Sequence, residues 1–181
     1  MGNGTKTPER LVWAVESLEL KPTDHVLEIG CGSGVAASLV CDRLTRGKLL
    51  AIDRSAVAVS AARKRNRAHV RAARAEFRTV AIEKVDLGAR RFHKIFAFNV
   101  GALRRDLASE LARLTRALRP KGTLRLFEQP PLDALTASVA DGLVRALQEQ
   151  GLVVRDVIFK ELKPAPVVCV IASKGDPIVP I

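Results

Sequence analysis

Three glycines at alternate positions, Gly30, Gly32 and Gly34, form the part of the chain best suited to hold a ligand. They follow the apolar run from Val26 to Ile29 and precede residues with helical spacing, which predicts a strand, a tight turn and a helix. Glycine lets the backbone approach a ligand closely, and the first turn of the helix offers unpaired N–H groups. A turn without a ligand is the structural alternative, but three glycines are more than such a turn needs.

The spacing of these glycines separates the candidate ligands. A dinucleotide fingerprint, G-x-G-x-x-G, would place its third glycine at position 35, which is a valine here. No Gly-Lys-Ser/Thr sequence follows the loop, as a triphosphate-binding loop requires. Asp53 ends a second predicted strand 19 residues after Gly34, where a carboxylate can accept hydrogen bonds from ribose hydroxyls. The alternative for Asp53 is a surface residue that caps the next helix.

The pattern E-x-G-x-G-x-G, with Glu28 at the end of the strand, resembles the first motif of the class I S-adenosylmethionine-dependent methyltransferases. The resemblance extends over almost the whole chain and includes 7–10 with the first helix, 92–100, 118–124 and the terminal hairpin. It implies S-adenosylmethionine as the cofactor and S-adenosylhomocysteine as the product.

The resemblance also implies roles for individual residues. Glu28 is expected near the cationic methionine end of the cofactor, and Asp53 is expected to bind the ribose hydroxyls. Arg54 and Ser55 are expected to line the edge of the adenine. The expected cofactor-binding residues are Glu28, Gly30, Cys31, Gly32, Gly34, Asp53, Arg54, Ser55, Ala81, Ile82, Asn99 and Val100.

Two positions depart from the family pattern. Val80-Ala81-Ile82 stands where the family often has Gly-Asp-Ala after its third strand, so the adenine is expected to rest on backbone groups and on Ile82. Glu83 is a less favoured substitute for the missing Asp. His93 replaces the usual acidic residue before strand four, a position that is generally structural in the family.

The residues that would promote methyl transfer are less well marked. Displacement at a sulfonium methyl needs alignment above all, which supplies about 7–11 kcal/mol, and a base is needed only where the acceptor must lose a proton. Glu128 and His93 are the candidate bases, although a strand-end cap and an ordinary surface histidine explain them equally well. Asn99, at the mouth of strand four, is the stronger candidate for a site residue.

The acceptor class stays open between several alternatives. Residues 99–102 lack the prolines and the aromatic residue that mark methylation of amides and base amino groups, and no cysteine is placed as a nucleophile. A small-molecule acceptor is favoured, and a homodimer is one way to complete a shallow pocket. An RNA acceptor and a non-catalytic cofactor-binding module are the alternatives.

Alternating elements must position these residues. Helices are predicted over 8–19, 34–46, 55–66, 103–118 and 132–149, and strands over 25–29, 48–52, 77–82, 94–98, 123–127, 152–159 and 167–172. Near-continuous apolar strands between helices are typical of a parallel sheet covered on both faces, and the short last connection predicts an antiparallel hairpin. We therefore expect a doubly wound, Rossmann-like α/β sheet of seven strands. We expect one domain, with a helical lead-in (1–24), a cofactor-binding core (25–128) and a C-terminal helix and hairpin (129–181).

Positive charge dominates the composition. The 181 residues carry 30 Lys and Arg against 19 Asp and Glu, a net charge of +11, and residues 54–91 alone carry 11 − 3 = +8. This basic stretch predicts either a solvated face or a contact with nucleic acid. No apolar run approaches the roughly 20 residues of a membrane-spanning helix. The three scattered cysteines predict neither a disulfide framework nor a metal site, so a cytoplasmic protein without a metal is expected.

Overall fold

A mixed sheet with helices on both faces makes up the computed structural model, which describes residues 7–99 and 107–175. The strands are β1 (His25–Ile29), β2 (Lys48–Asp53), β3 (Ala75–Thr79), β4 (Phe92–Phe98), β5 (Leu118–Glu128), β6 (Leu152–Lys160) and β7 (Val167–Lys174). The helices are α1 (Glu9–Ser17), α2 (Val35–Arg43), α3 (Ala56–Arg65), α4 (Arg67–Arg71), α5 (Leu107–Ala117) and α6 (Thr136–Glu149).

The order of the strands in the sheet is β3-β2-β1-β4-β5-β7-β6. Strands β1 to β5 run parallel, whereas β7 is antiparallel to both β5 and β6. The chain winds outward in one direction from β1 and in the other from β4, which opens a crevice at their carboxyl ends. The predicted doubly wound sheet of seven strands with an antiparallel terminal hairpin is confirmed.

The core lies on both faces of this sheet. Leu27 of β1 packs in the cluster that contains Leu111 of α5 and Leu147 of α6. Its neighbour Val26 packs in the opposite cluster, which contains Val15 of α1 and Val40 of α2. Successive side chains of a strand point to opposite faces, so a strand buried on both faces has an unbroken apolar sequence.

Two predicted strand boundaries were wrong. Strand β3 ends at Thr79 and not at Ile82, because the Val80 N–H donates to the Asp53 carbonyl at 2.9 Å and a short 3-10 helix begins at Ile82. The strand predicted over 123–127 begins earlier, at Leu118, so that residues 120–122 lie within an irregular part of β5. There Gly122 packs so closely on β4 that an added Cβ would lie 2.9 Å from the Phe92 carbonyl oxygen.

The helix predicted over 55–66 agrees with the structure, because Ser55 caps α3 and Asn66 ends it. Only the five-residue α4 follows it. The arginines at 63, 67, 71 and 74 therefore do not share one helical face. Helix α5 ends at Ala117, and its predicted beginning at 103 lies outside the described residues.

Candidate active site

The glycine loop joins β1 to α2 and passes over the end of β2. Gly30, Gly32 and Gly34 have φ angles of +72°, +51° and +75°, which residues with side chains rarely adopt. The N–H groups of Gly30 and Cys31 donate to the Ile52 carbonyl at 2.8 and 3.0 Å. The backbone of the loop is thus fastened to β2.

Asp53 ends β2 and connects the loop to the next helix. Its Oδ2 accepts a hydrogen bond from the Gly32 N–H at 2.9 Å, and its Oδ1 accepts one from the Ser55 N–H at 2.9 Å. Ser55 in turn caps α3, because its Oγ accepts from the Ala58 N–H at 3.2 Å. The helix cap is therefore Ser55, and the half-buried Asp53 carboxylate faces the loop.

The second and third glycines of the loop have opposite surroundings. A Cβ added at Gly32 would meet nothing within 4 Å, so open space faces the loop at this position. A Cβ added at Gly34 would lie 2.7 Å from Asn66 Nδ2 and 2.8 Å from Ala62 Cβ. Gly34 lets α3 pack directly against the loop, which is a structural role, and its expected contact with the cofactor stays a prediction.

The end of α3 holds the loop through two residues that sequence reasoning missed. Asn66 is 1% exposed, and its Nδ2 donates to the Gly34 carbonyl at 2.9 Å while its Oδ1 accepts from Ser38 Oγ at 2.8 Å. The neighbouring Arg65 donates from Nε to the Ser33 carbonyl at 3.0 Å. An asparagine after a predicted helix signals only a helix end, so the contact across 32 residues of chain needed the tertiary structure.

A cavity of about 190 Å³ opens beside the loop, at the carboxyl ends of β1, β2 and β4. Six residues predicted to bind the cofactor line it: Gly30, Asp53, Arg54, Ala81, Ile82 and Asn99. Four residues that were not predicted complete the lining: Ile29, Ile52, Val80 and Phe98. Ile29 and Phe98 end β1 and β4, and Val80 directly follows β3. Ile52 is the penultimate residue of β2.

The other predicted cofactor residues lie around this cavity and not in its lining. They are Glu28, Cys31, Gly32, Gly34 and Ser55. Val100 lies outside the described residues. Burial above all, together with the negative charges of Glu28 and Asp53, raises the pKa of the Cys31 thiol well above its usual range. The raised pKa favours the protonated thiol over the thiolate.

Glu28 is a buried acid at the end of β1, with 4% of its surface exposed. Its Oε2 makes no hydrogen bond with any described residue. Burial, and to a lesser degree the charge of Asp53, raises the pKa of Glu28 to about 8. Burying a carboxyl group with one oxygen that lacks a hydrogen-bond partner costs free energy. A cationic ligand group beside that oxygen would supply the missing partner.

Asn99 connects the ends of β4 and β5. Its N–H donates to the Phe127 carbonyl at 2.9 Å, and its Oδ1 accepts from the Gln129 N–H at 2.7 Å. Its φ of +51° lies in the left-handed region, where asparagine is enriched among residues with side chains. Gln129 donates onward to the Ala165 carbonyl at 2.8 Å, so the β6–β7 connection is tied to the same edge.

A family model agrees with this arrangement of loop and sheet. The model of the methyltransferase domain matches residues 26–122, which is more than half of the chain. The chain belongs to this methyltransferase family. The resemblance in the sequence is thereby confirmed, and S-adenosylmethionine is the cofactor of this methyltransferase.

Two proteins of Bacillus subtilis (strain 168) are similar to this methyltransferase along nearly their whole length. YrhH, which is named as a methyltransferase, is 25% identical over 170 residues, which cover 94% of this chain and 88% of that protein. YdaC, an uncharacterized methyltransferase, is 26% identical over 166 residues, which cover 90% of each chain.

Solved structures share the fold at lower identity. A SAM-dependent methyltransferase from Aquifex aeolicus has a TM-score of 0.75 at 19% identity and covers 90% of this chain and 88% of its own. The magnesium protoporphyrin IX methyltransferase of Synechocystis PCC 6803, with bound SAM, has a TM-score of 0.68 at 14% identity and covers 92% and 76%. The [4+2]-cyclase SpnF has a TM-score of 0.75 at 16% identity and covers 92% and 81%. Identities this low show the shared fold alone.

The two candidate bases of the methyltransferase lie at opposite ends of the parallel strands. Glu128 is buried at the carboxyl end of β5, on the same edge as the cavity. His93 is the second residue of β4, so about 17 Å of strand separates it from Phe98 at the cavity. The structure therefore contradicts a role for His93 as the base.

The contacts of His93 give it a structural role instead. Its Nδ1 accepts from the His25 N–H at 2.8 Å, and its Nε2 lies 2.9 Å from the Arg119 guanidinium. Burial, and next the positive charge of Arg119, lowers the pKa of His93. The hydrogen bond from His25 thus ties the amino ends of β1 and β4 together, and Arg119 of β5 lies against the same ring.

The basic stretch of the methyltransferase is used partly inside the fold. Arg63 donates to the Phe77 carbonyl, Arg65 to the loop, and Arg78 and Arg90 both pair with Glu76. The exposed residues Lys64, Arg67 and Arg71 make no ion pair with a described residue. Among the helices of the described ranges, none has the length and hydropathy that a membrane crossing demands.

Proposed function

We propose that this methyltransferase transfers a methyl group to a small-molecule acceptor by in-line displacement at the sulfonium of S-adenosylmethionine. The observation that carries the proposal is the cavity at the switch point between β1 and β4, which brings Gly30, Asp53, Ile82 and Asn99 together. When bound, the cofactor supplies an activated methyl group and a good leaving group. The chain then needs to bind, orient and shield the reacting groups.

The residues present fit such a cofactor in two respects. Asp53 offers a half-buried carboxylate at the cavity wall, where charge-assisted hydrogen bonds to ribose hydroxyls are strong. Glu28 offers a buried carboxyl with one oxygen lacking a partner among the described residues, which suits the ammonium group of the methionine moiety. The open space at Gly32 leaves room for the cofactor between these two acids.

The adenine is proposed to lie against Ala81 and Ile82, at the start of the 3-10 helix after β3. Ile82 is 3% exposed and packs in the core cluster under α5, so its position is rigid. Arg54, which is exposed at the rim of the cavity, is proposed to cover the edge of the ring. Ser55 supports this rim by capping α3.

An aromatic cluster supports a small apolar acceptor. Phe98 lines the cavity and stacks on Phe127, with ring centroids 5.8 Å apart. Trp13 of α1 meets the edge of Phe127 at 5.6 Å. Phe98 thus presents an apolar ring to the cavity, backed by the buried Phe127, and we propose that the acceptor meets the methyl group beside it. Asn99 and Glu128 at the carboxyl edge of β4 and β5 are the proposed polar groups that orient the acceptor.

An RNA acceptor is the second candidate, and the exposed cations of the basic stretch are the observation that favours it. Lys64, Arg67 and Arg71 project from α3 and α4 without an acidic partner among the described residues. A single domain, a cytoplasmic location and a homodimer that completes the acceptor pocket remain proposals of the same standing. A module that binds the cofactor without turnover is the third alternative.

Calorimetry on an Asp53→Ala variant tests the cofactor site. We expect at least about tenfold weaker binding of S-adenosylhomocysteine, because the charge-assisted hydrogen bonds to ribose and the hydrogen bond to Gly32 are both lost. Asp141→Ala, an exposed acid on α6, is the matched control and should bind normally. Unchanged affinity of Asp53→Ala would refute the ribose assignment. A thermal shift with NAD and none with S-adenosylmethionine would refute the proposal as a whole.

A further inference from the structure

A second cavity lies at the amino ends of the parallel strands, on the edge opposite the candidate active site. It has a volume of about 840 Å³ and is lined by the first residues of β1 to β4 and by the segment 89–91. Lys48 at the start of β2 lines this cavity, whereas Asp53 at the end of β2 lines the other. Roughly 17 Å of strand separates the two residues, so a ligand here is not the methyl acceptor.

The walls of this amino-edge cavity are strongly basic. Six residues with basic side chains line it: His25, Lys48, Arg74, Arg90, Arg91 and Arg119. Glu76 is the one acidic residue of the lining, so without His25 the net charge is 5 − 1 = +4. Volumes between about 300 and 1,000 Å³ are typical of small-ligand sites.

Most of these cations lack an acidic partner among the described residues. Glu76 is engaged by Arg90 and by Arg78, which lies outside the cavity. Arg91 donates only to the carbonyls of Gly88 and Arg90. Lys48 is exposed and has no hydrogen bond or ion pair from its ammonium group within the described ranges.

Within the described ranges, the two remaining arginines contact histidines and no carboxylate. Arg119 lies 2.9 Å from Nε2 of His93, whose lowered pKa favours the neutral ring. Arg74 lies 3.5 Å from Nδ1 of His69. Four cations around one concavity repel each other, and a bound anion removes that repulsion.

The floor of the cavity is apolar. Leu49, Leu50 and Phe92 contribute to it, and each is less than 5% exposed. The buried Phe92 ring is the one aromatic side chain other than His25 in the lining, so no platform for stacked bases is present there. This combination favours a compact ligand with an anionic group and an organic body over a single-stranded nucleic acid.

We propose that the amino-edge cavity binds an organic phosphate of nucleotide size. The phosphate groups lie toward Lys48, Arg91 and Arg119, because guanidinium groups bind phosphate oxygens with two parallel hydrogen bonds. The organic body lies against the apolar floor. The site is separate from the cofactor cavity and does not depend on the nature of the methyl acceptor.

Calorimetric titration with UTP, inorganic pyrophosphate and a single-stranded RNA of about 12 nucleotides tests this site, at about 0.15 M salt. The protein is saturated with S-adenosylhomocysteine, so that the adenosine cavity is blocked. We expect UTP to bind with a submillimolar Kd. The double variant Lys48→Gln/Arg91→Gln should bind UTP at least about tenfold more weakly, since two phosphate contacts are lost.

A matched double variant, Lys64→Gln/Arg67→Gln, removes the same charge from exposed positions outside the cavity. It should bind UTP within about twofold of the unmodified protein, and both variants should bind S-adenosylhomocysteine normally, which verifies the fold. Four outcomes overturn the proposal: no binding of UTP, binding of pyrophosphate as tight as that of UTP, an equal loss in the matched variant, or binding of the RNA alone.

Discussion

Single residues of the same type have different functions in this methyltransferase, and their surroundings decide which. Gly34 is needed because α3 packs against it, whereas Gly32 faces open space. Asp53 and Glu28 are both acids at strand ends, but Asp53 has two hydrogen bonds from backbone N–H groups and Glu28 has an oxygen without a partner among the described residues. Each of these differences leads to a testable prediction about cofactor binding.

A Gly32→Ala substitution should separate binding from folding. The added methyl group meets no protein atom within 4 Å, so the cost to stability is the left-handed φ of +51°, roughly 1–2 kcal/mol. The same methyl group enters the space proposed for the cofactor, so S-adenosylhomocysteine should bind at least about tenfold more weakly by calorimetry.

Gly142→Ala is the matched control for that substitution. Gly142 lies in α6, also with nothing within 4 Å of an added Cβ, and its φ is not positive. Alanine should there raise helix stability by roughly 0.5–1 kcal/mol and leave binding unchanged. A Gly32→Ala protein that folds and binds normally would show that the cofactor does not occupy the space beside the loop.

Glu28 should make the stability of the ligand-free protein depend on pH. Its pKa is raised from 4.5 to about 8 by burial, so the folded protein keeps a proton that the unfolded chain releases. The resulting stability is fully present below about pH 4.5 and is lost as the pH rises through about 8. We expect the melting temperature to fall between these values more steeply than in a Glu28→Gln variant.

The same Glu28→Gln variant should bind S-adenosylmethionine more weakly at pH 8, because the amide cannot offer a negative charge to the ammonium group. Thermal melts of both proteins from about pH 5 to pH 9, with and without cofactor, measure both effects. If the melting temperatures of the two ligand-free proteins change with pH in the same way, Glu28 stays ionised in the folded protein.

At the scale of elements, the end of α3 positions the glycine loop. Asn66 makes hydrogen bonds to the Gly34 and Ala62 carbonyls and accepts one from Ser38, so one buried side chain joins α2, α3 and the loop. The strand ends are joined in a similar way, because Asn99 links β4 to β5 and Gln129 links β5 to the β6–β7 connection.

An Asn66→Leu substitution should therefore destabilise the protein and weaken cofactor binding together. Two buried hydrogen bonds and one half-buried hydrogen bond are removed, and the free energy of unfolding measured in urea is expected to fall by about 1–3 kcal/mol. Ser60→Ala, at an exposed position of α3, should change neither quantity. A stable Asn66→Leu protein with normal affinity would mean that the loop holds its shape without the clamp.

Across the whole protein, the basic residues that give the net charge of +11 have several different roles. Some arginines hold backbone carbonyls or Glu76, several surround the amino-edge cavity, and others are solvated on α3 and α4. A basic composition therefore does not by itself indicate an RNA-binding face. Charge that is concentrated at one surface predicts nucleic-acid binding better than total charge does.

Salt dependence distinguishes the two acceptor classes. The rate at which S-adenosylhomocysteine is produced, with small amines, phenols and thiols tested as methyl acceptors, should vary by less than about twofold between 0.05 and 0.2 M salt. An RNA acceptor held by 6–10 phosphate contacts would lose about 10³–10⁵ in affinity over that range. Turnover with RNA alone, suppressed by salt in this way, would contradict the small-molecule proposal.

Local patterns in the sequence predicted the α/β fold, the family and six of the ten residues that line the candidate cavity. Apolar strands, the glycine loop and Asp53 are local signals, because each depends on residues adjacent in the chain. Gly30, Asp53, Ala81, Ile82 and Asn99 could be named since strand ends must meet at the switch point of a parallel sheet. The predicted end of β3 was wrong, because Val80 and Ile82 are apolar whether they continue a strand or turn away from it.

Contacts between distant parts of the chain, which no local pattern contains, show which residues of a given type hold the fold together. Gly34 and Asn66 meet across 32 positions of chain, and His93 reaches His25 across 68, so no local pattern reveals either contact. The amino-edge cavity is likewise formed by residues from 25 to 119. Its charge is set by which carboxylates the fold places within reach of each arginine, and that depends on distances in space and not along the sequence.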